Sequence, residues 1–461
     1  MVRLSWRREP PLVLDTSGSA AHLISRRYAW GVFAMTFALA VTDYVDRQII
    51  VSAFPYLKAE WGLSDTALGA LMSVVSIVIA VAALPTARMA DRWGRVKTIS
   101  AMGCLWSLAT IGCAVSGNYA QLFAARALLG AGEAGYGAAG GALLSSYFSQ
   151  RLRATVLSAF LAAGPLGAVL GVLLGGLAVV HWGWRISLAV FGIPGLVLAL
   201  LFLRVRDYRT PVLAAEGPAG AEKRAGGART AMARPGMWLT LREVVRPRTA
   251  MACYAGGALN LMVLSTMYTW LPSYLGRAYG LAADRAGMWA AMVILAGFIG
   301  AISSGYLADR RAAVRPAHKL VVPSVLTAVT AVLLCTALGA LAPGGLQFAL
   351  ILVAGFPLAA ALGTAPAAVI DVVHPSLRAT AGGVVVLVQN LLGLAVGPIL
   401  TGWLSDGFGL QTALAIMPLF CVAAAAAFWL GSRTYDRDLA AVTGSASAAT
   451  TPLTRETELN G

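Results

Sequence analysis

The stretch Ala87–Arg95 reads ARMADRWGR and separates two long apolar segments, 66–87 and 97–116. Part of it returns 218 residues later, again directly after an apolar segment, where Ala90-Asp91-Arg92 becomes Ala308-Asp309-Arg310. Further matches keep the same order along the chain: Gly62-Leu63 with Gly69 returns as Gly280-Leu281 with Gly287, and Leu152–Thr155 returns as Leu377–Thr380. The chain therefore contains two related halves in a parallel repeat.

Composition indicates a membrane protein. Of the 461 residues, 58% are hydrophobic and 12% are charged, whereas soluble domains carry roughly 25% charged residues. Twelve apolar segments are long enough to cross a bilayer, and we number them as spans 1 to 12: 28–50, 66–87, 97–116, 119–142, 154–180, 184–204, 249–275, 284–307, 319–342, 346–370, 378–403 and 410–431. The sequence predicts an all-α membrane protein with two six-helix halves.

The basic residues give the orientation. With the N-terminus inside, the cytoplasmic segments hold 29 of the 35 Lys and Arg residues and the outer loops hold four, so the positive-inside rule places both termini in the cytoplasm. We expect five regions: a cytoplasmic arm (1–27), a six-helix bundle (28–204), a flexible cytoplasmic linker (205–248), a second six-helix bundle (249–431) and a cytoplasmic tail (432–461).

The stretch after span 2 resembles the signature loop of the major facilitator superfamily, with Ala87 where that family usually has glycine. The run Gly164–Gly167 in span 5 looks like the family's helix-5 motif. The resemblance implies the major facilitator fold. A carboxylate and a guanidinium at a cytoplasmic helix end can pair and hold one conformation. We expect such a conformational latch at Asp91, Arg92, Arg95, Asp309 and Arg310.

Narrower features are similar to the Spinster-like transporters of that superfamily. They are Asp43–Gln48, Arg126–Tyr136, Gly183–Arg185 and Trp270–Pro272. The anion:cation symporter branch also has an Asp-Arg pair in span 1 and a Glu-Ala pair in span 4. Its usual span-2 aromatic residue and its Gln-x-Pro-Gly pattern are missing here.

Five charged residues lie deep in the apolar segments of the first half: Asp43, Asp46, Arg47, Arg126 and Glu133. A charge at mid-bilayer costs at least ~2.5–3.5 kcal/mol on insertion scales, so such groups indicate function. Asp43 and Arg47 are four residues apart and share a helix face, as do Arg126 and Glu133, seven apart.

The resemblance implies that spans 1 and 4 line a central cavity, and that Asp46, Arg47, Arg126 and Glu133 act in coupling and transport. We expect Arg126 to bind an anionic group of the substrate and to be the partner of Glu133. The alternative is a charge network that only fixes helix packing. In the second half the cavity candidates are uncharged: Asn260, Thr266, Tyr268, Trp270, Gln389 and Asn390.

These features predict a secondary active transporter that alternates access by rocking one half against the other, coupled to protons through Glu133 and Asp46. The expected cargo is an organic anion or zwitterion, with lysophospholipid-like amphiphiles favoured by the Spinster resemblance. The alternatives are a proton symporter for small carboxylates, such as aromatic or sugar acids, and a non-transporting membrane receptor. The expected partners are a small-molecule or lipid-like substrate, protons and the lipid bilayer. We expect a monomer in the cell membrane, the inner membrane of a bacterium.

Other classes of protein fit less well. The net charge of +15 lies in short clusters between apolar runs, which argues against nucleic-acid binding. The four histidines lie near loops, and the sequence has no Gly-x-x-x-x-Gly-Lys-Ser/Thr phosphate loop, so we expect neither an enzyme nor an ATPase. The five cysteines lack Cys-x-x-Cys spacing, and we expect no metal and no cofactor.

Overall fold

The computed structural model describes residues 12–13, 25–209 and 237–450, and these residues are almost entirely helical. Spans 1 to 3 are the helices Arg26–Trp61, Asp65–Trp93 and Arg95–Ala114. Span 4 consists of Tyr119–Glu133 and Tyr136–Tyr147. Spans 5 and 6 are formed by Gln150–Leu161 and Ala163–Phe202.

In the second half, spans 7 and 8 are Arg248–Tyr279 and Ala283–Ala312. The remaining spans are segmented: His318–Cys335 and Thr336–Ala340 form span 9, Gly345–Leu358 and Ala361–Asp371 form span 10, Arg378–Val388, Gln389–Leu394 and Val396–Phe408 form span 11, and Leu410–Ile416 and Leu419–Thr450 form span 12. A short 3₁₀ helix, Pro375–Leu377, precedes span 11.

Ten helical stretches of the described residues, several of them made of consecutive segments, are long and apolar enough to cross a membrane. Spans 5 and 6 form one of these stretches, Thr155–Phe202, and span 4 is not among the ten. Gly183 has a non-helical backbone (φ 75°, ψ 163°) and divides Ala163–Phe202 between spans 5 and 6. Span 4 is interrupted at Ala134 and Gly135, so neither piece reaches membrane length alone. The prediction of an all-α fold with twelve spans is confirmed.

Three elements extend beyond the predicted bundles. The last helix continues to Thr450, although the sequence places the end of span 12 at 431. A helix, Met237–Val245, lies in the predicted flexible linker, and its Val244 is fully buried in a hydrophobic cluster with Ala250 and Cys253. Leu12–Val13 and Tyr208–Arg209 form two short strands that pair in parallel, and they add a small sheet to the all-α fold.

The described residues form two compact units. The first unit contains the described residues up to 209, together with Ser265–Leu295 and Leu394–Leu414. The second contains 237–264, Ala296–Gly393 and 415–450. Parts of spans 7, 8 and 11 therefore pack with the first half of the sequence, and the compact units do not coincide with the two sequence halves.

Small residues bring spans 1 and 5 into close contact, as the glycine run of span 5 predicts. A Cβ atom at Gly167 would lie 2.7 Å from the carbonyl oxygen of Val41, and one at Gly171 would lie 2.9 Å from that of Val45. Only a hydrogen at these positions allows the two backbones to approach so closely. This packing fixes span 1, which carries three of the five deep charges.

Candidate functional site

Arg47 and Glu133 form an ion pair between spans 1 and 4. Arg47 Nη2 donates to Glu133 Oε2. The Glu133 side chain is only 1% exposed and that of Arg47 is 17% exposed. The Tyr44 ring lies 5.4 Å from the guanidinium carbon of Arg47 and adds a cation–π contact. The pair therefore joins two helices in a largely dry environment, where an unpaired charge would be costly.

Asp43 lies beside this pair. It is one helical turn before Arg47, it is buried, and it is within electrostatic range of both Glu133 and Arg47. Among the described residues, its Oδ1 atom has no hydrogen-bond partner, and neither has Glu133 Oε1. Two carboxyl groups thus share one nearby cation and both have free acceptor capacity.

Asp46 is directed toward span 3. It is fully buried, and its Oδ2 atom accepts a hydrogen bond of 3.3 Å from Thr110 Oγ1. Within the described part of the chain, its Oδ1 atom has no partner. Asp46 is therefore held by a hydroxyl of the neighbouring helix, and it lies within electrostatic range of both Glu133 and Arg126.

Arg126 is directed toward span 2. It is 1% exposed, its Nε donates to the carbonyl oxygen of Leu71 at 3.2 Å, and its Nη2 contacts Met72 Sδ at 3.4 Å. A Cβ atom at Gly130, one turn further along span 4, would lie 2.6 Å from the carbonyl oxygen of Val75. Gly130 thus allows span 2 to approach span 4 closely enough for a carbonyl of span 2 to accept the hydrogen bond from the Arg126 guanidinium.

This geometry corrects one expectation from the sequence. Arg126 and Glu133 share a helix, but the ion-pair partner of Glu133 is Arg47 and not Arg126. The reason is that an arginine side chain is long enough to contact a neighbouring helix. Arg126 donates to a backbone carbonyl on span 2, and Arg47 of span 1 donates to Glu133. Arg126 donates its hydrogen bonds to a neutral carbonyl and a thioether, while the carboxylates of Glu133 and Asp46 lie within electrostatic range of it.

The uncharged candidates of the second half fall into both units. In the first unit, Thr266 Oγ1 lies 2.9 Å from Thr401 Oγ1, Trp270 Nε1 donates to the carbonyl oxygen of Pro398 at 3.0 Å, and Tyr268 is half-buried. The polar atoms of Thr266 and Trp270 are therefore engaged in packing spans 7 and 11 together.

In the second unit, Asn260 is buried and its Nδ2 donates to the carbonyl oxygen of Leu358 at 3.3 Å. Gln389 and Asn390 are half-buried and lie on the π-helical turn Gln389–Leu394. Asn390 Nδ2 donates to the carbonyl oxygen of Val386 at 2.9 Å within its own helix. Single π-helical turns are frequent at functional sites. Gln389 and Asn390 therefore remain candidates for the lining of the cavity.

A second charged cluster, which was not predicted from the sequence, lies in the first unit. It is at the end of that unit where the turn at Gly62 is located. We call this the Gly62 end. The carboxylate of Asp65 accepts hydrogen bonds from Lys58 Nζ at 2.6 Å, from Arg277 Nη1 and Nη2 at 2.6 and 2.7 Å, and from Ser405 Oγ at 2.5 Å. Asp65 thereby ties together spans 1, 2, 7 and 11.

Asp406 completes this cluster. Its carboxylate accepts hydrogen bonds from the backbone amides of Asp65 and Thr66 at 2.7 and 2.8 Å, and from Thr66 Oγ1 at 2.6 Å. Span 11 thus caps the N-terminus of span 2, where a negative charge is favourable. Each of these residues lies next to a turn, where charged residues are common, and the sequence contains no further signal that they group together.

Two pairs of glycines bring the helices together at the Gly62 end. Gly69 of span 2 faces the carbonyl of Pro398, and Gly402 of span 11 faces that of Asp65. The same arrangement occurs between spans 8 and 5: Gly287 faces the carbonyl of Val172, and Gly176 faces that of Ala283. Gly69 and Gly287 are equivalent positions of the sequence repeat, so the repeat has a structural counterpart in this contact.

A model of the Major Facilitator Superfamily matches residues 36–395 of the sequence. The chain belongs to the Major Facilitator Superfamily. It is 30% identical to an MFS-type efflux pump of Mycolicibacterium smegmatis, over 93% of this chain and 98% of that protein. It is 26% identical to a hexuronate transporter of Bacillus subtilis, over 82% of this chain and 88% of that protein.

The fold is also similar to that of a solved superfamily protein. The crystal structure of a bacterial homologue of the human lysosomal transporter Spinster, in an inward-facing and unoccupied conformation, superposes with a TM-score of 0.76 at 21% sequence identity. The match covers 90% of this chain and 99% of that one. The predicted membership of the superfamily is confirmed, and the predicted resemblance to Spinster-like proteins has a counterpart in the fold.

The superfamily's signature loop is only partly described. The side chain of Asp91 lies outside the described residues, while Arg92, Asp309 and Arg310 are exposed and Arg95 is half-buried. Close by, Asp207 Oδ2 accepts a hydrogen bond of 3.2 Å from the backbone amide of Val96. Gly94 has a φ of 95° and faces this carboxylate, which leaves no room for a Cβ atom. The end of span 6 thus caps the start of span 3.

Proposed function

We propose that this protein is a secondary active transporter that moves an organic anion or zwitterion by alternating access, coupled to protons. The observation that carries the proposal is the buried Arg47–Glu133 ion pair with Asp43 beside it. Buried charges are rare in membrane helices and mark ion or substrate pathways. Membership of a superfamily of membrane transporters supports the general class.

Glu133 is the proposed proton-coupling group. When Glu133 is ionised, it holds Arg47 through the ion pair. A proton on Glu133 removes the negative charge and releases the guanidinium of Arg47, which can then bind an anionic group of the substrate. Loss of the proton restores the ion pair and displaces the anion. Proton and substrate are thereby linked through one cation.

Arg126 is the proposed anchor for the substrate. It carries a buried positive charge whose hydrogen bonds go to a carbonyl and a thioether. An anion that reaches it gains a charge-assisted hydrogen bond. Asp46, Gln389 and Asn390, together with Asn260 and Tyr268, are proposed as further contributors to the transport pathway.

The Gly62 end is the proposed outer end of the transporter. The distribution of 29 cytoplasmic and four outer basic residues supports cytoplasmic termini, which would put Lys58 and Arg277 on the outer side. The Asp65 cluster and the paired glycines would then close the outer side. The proposed location is the cell membrane, the inner membrane of a bacterium, with a monomer as the functional unit. Reporters fused after residues 225 and 440 test this orientation, and a periplasmic signal from either contradicts it.

Two substrate classes are supported. Lysophospholipid-like amphiphiles are favoured by the similarity in fold to the Spinster homologue. Small carboxylates such as sugar or aromatic acids are supported by the similarity in sequence to the hexuronate transporter. Thermal-shift screening of the purified protein against both classes separates them, because a ligand of the native state raises the melting temperature.

Transport in liposomes tests the coupling. With the best ligand of the screen, wild type should accumulate substrate under an imposed pH gradient, and Arg126→Ala should lose binding. Glu133→Gln should lose gradient-driven accumulation and keep substrate exchange, because exchange requires no net proton release. Glu60→Gln is the control, since Glu60 forms an exposed pair with Arg185. Full gradient-driven transport by Glu133→Gln would show that Glu133 is not the coupling group, and ligand binding without any transport by wild type would support a receptor instead.

A further inference from the structure

Two turns of the first unit are built alike. Gly62 follows span 1 with a φ of 62°, and Gly280 follows span 7 with a φ of 67°. The two glycines are equivalent in the sequence repeat, 218 residues apart. A basic and an acidic residue flank each turn at the same spacing of seven residues. The pairs are Lys58 with Asp65 and Arg277 with Asp284. The repeat thus gives each half of the sequence its own basic and acidic residue, with the second pair displaced by one residue along its turn.

The structure uses the two pairs differently. Lys58 donates to Asp65 at 2.6 Å within the first half of the sequence. Arg277 belongs to the second half, but it donates to the same carboxylate of Asp65 through Nη1 and Nη2, at 2.6 and 2.7 Å. Asp65 is therefore bound by two cations. Among the described residues, no ion pair includes the equivalent Asp284.

Asp284 has free acceptor capacity. It is half-buried and lies in the first turn of span 8, where the helix dipole favours a negative charge. Within the described part of the chain, its buried Oδ1 atom has no hydrogen-bond partner. A buried acceptor without a partner is unfavourable, and a guanidinium is a strong donor to a carboxylate. Asp284 is therefore suited to take an arginine as its partner.

Arg277 has room to turn toward Asp284. Its side chain is 34% exposed where it binds Asp65. A cavity of about 280 Å³ is lined by Arg277 and by the three residues directly before Asp284, which are Leu281, Ala282 and Ala283. The guanidinium can therefore move from Asp65 to the start of span 8 without crossing a packed interior.

We propose that Arg277 exchanges its ion-pair partner when the Gly62 end opens, from Asp65 of the first half to Asp284 of its own half. The inference rests on the proposed function, because alternating access requires the two halves to part at this end. In the closed form Asp65 holds both Lys58 and Arg277. In the open form each acid holds one base, since Lys58 stays with Asp65. The new pair replaces the contact that opening breaks, so that both forms can be populated.

Double electron–electron resonance on the full-length protein in nanodiscs measures the two forms. Spin labels at Gly117→Cys and Phe408→Cys, in a background without the native cysteines, occupy exposed positions of the two sequence halves. Asp284→Asn removes the partner of the open form and should reduce the ratio of long to short distances about threefold. Asp284→Glu keeps the charge and should stay near wild type. Glu60→Gln is the matched control, because it neutralises an acid whose pair with Arg185 is exposed.

Two backgrounds test whether Arg277 is the base that moves. In Arg277→Ala, the further change Asp284→Asn should leave the distances as they are, because the partner is gone. Lys58 and Ser405 still bind Asp65 in that variant. In Lys58→Ala, Asp284→Asn should still reduce the ratio. Unchanged distances in Asp284→Asn, or an effect of Asp284→Asn that persists in Arg277→Ala, would overturn the proposal.

Transport in liposomes is measured separately, so that the two proposals can fail independently. A protein that moves no ligand but shows this pattern of distances would leave the partner exchange standing and contradict the proposed function alone. A protein that transports with proton coupling, while the distances in Asp284→Asn stay as in wild type, would retain the proposed function and exclude the exchange.

Discussion

Glu133 of span 4 is bound by Arg47 of span 1, although Arg126 lies two turns away on the same helix as Glu133. The contact joins helices whose paired residues are 86 positions apart in the chain. A single proton on Glu133 would therefore change a contact between two helices and not only a local charge. Protonation of Glu133 can therefore be coupled to a movement of span 1 relative to span 4 through this ion pair.

The first prediction concerns the stability of this pair. Arg47→Ala leaves the Glu133 carboxylate buried without a partner, and breaking a buried pair in this way costs about 3–5 kcal/mol. The double variant Arg47→Ala/Glu133→Gln should recover part of the loss, because position 133 then carries no unpaired buried charge. Arg185→Ala is the control: its pair with Glu60 has side chains that are 42% and 40% exposed, so the loss should be about 0–1 kcal/mol. Denaturant unfolding in detergent measures all three, and an equal loss in Arg47→Ala and Arg185→Ala would contradict the prediction.

The second prediction concerns the Asp65 cluster. Asp65→Asn weakens the bonds from Lys58 and Arg277 and should shift the protein toward forms with a separated Gly62 end. Spin labels at Ser64→Cys and Ala282→Cys, in a background without the native cysteines, should report a larger population at long distance. Both positions lie at the turns of this end.

Glu60→Gln is the matched change for this measurement. It breaks an ion pair within the first half and leaves Asp65 intact, so the label distances should stay as in wild type. An unchanged distance distribution in Asp65→Asn would mean that the cluster does not hold this end closed.

The third prediction concerns the paired glycines. A Cβ atom at Gly287 would lie 2.6 Å from the carbonyl oxygen of Val172, and the equivalent Gly69 is still closer to Pro398. Gly69→Val and Gly287→Val should therefore prevent the close approach of their helices and reduce transport strongly, while the protein still inserts into the membrane. Gly305→Val is the control, because no atom lies within 4 Å of a Cβ atom there. Transport rates normalised to the amount of reconstituted protein provide the measurement, and equal rates in Gly69→Val and Gly305→Val would contradict the idea.

Much of this architecture could be predicted from the sequence. The sequence shows the twelve apolar segments and the parallel repeat because both are patterns of residue type along the chain. It also shows the deep charges, because each is a charged residue within an apolar segment. The partner of Glu133 was not visible, since long arginine side chains reach across to neighbouring helices and helix spacing alone does not decide between Arg47 and Arg126. The Asp65 cluster was also missed, because Lys58, Asp65 and Arg277 come from three helices and each is an unremarkable charge near a turn. The recurring Gly69 and Gly287 were seen as a repeat, but their role in close helix contact required the structure.

The last prediction separates Asp43 from Asp46 in proton coupling. The sequence assigns coupling to Glu133 and Asp46, whereas in the structure Asp43 lies beside the Arg47–Glu133 pair and Asp46 bonds to Thr110. Asp43→Asn should therefore shift the pH dependence of gradient-driven transport, because it removes the carboxyl group that shares Arg47 with Glu133. Asp46→Asn should shift it less.

Thr110→Val is the control for Asp46, since it removes the hydroxyl that holds Asp46 and keeps both carboxyl groups. The measurement is initial transport rate in liposomes against pH, at a constant pH difference across the membrane. If coupling ran through Asp46, the Asp46→Asn profile would move and the Asp43→Asn profile would stay in place, and Thr110→Val would follow Asp46→Asn in part. If Glu133 and Asp43 act together, the double variant Asp43→Asn/Glu133→Gln should show the same pH profile of substrate exchange as Glu133→Gln, which keeps exchange.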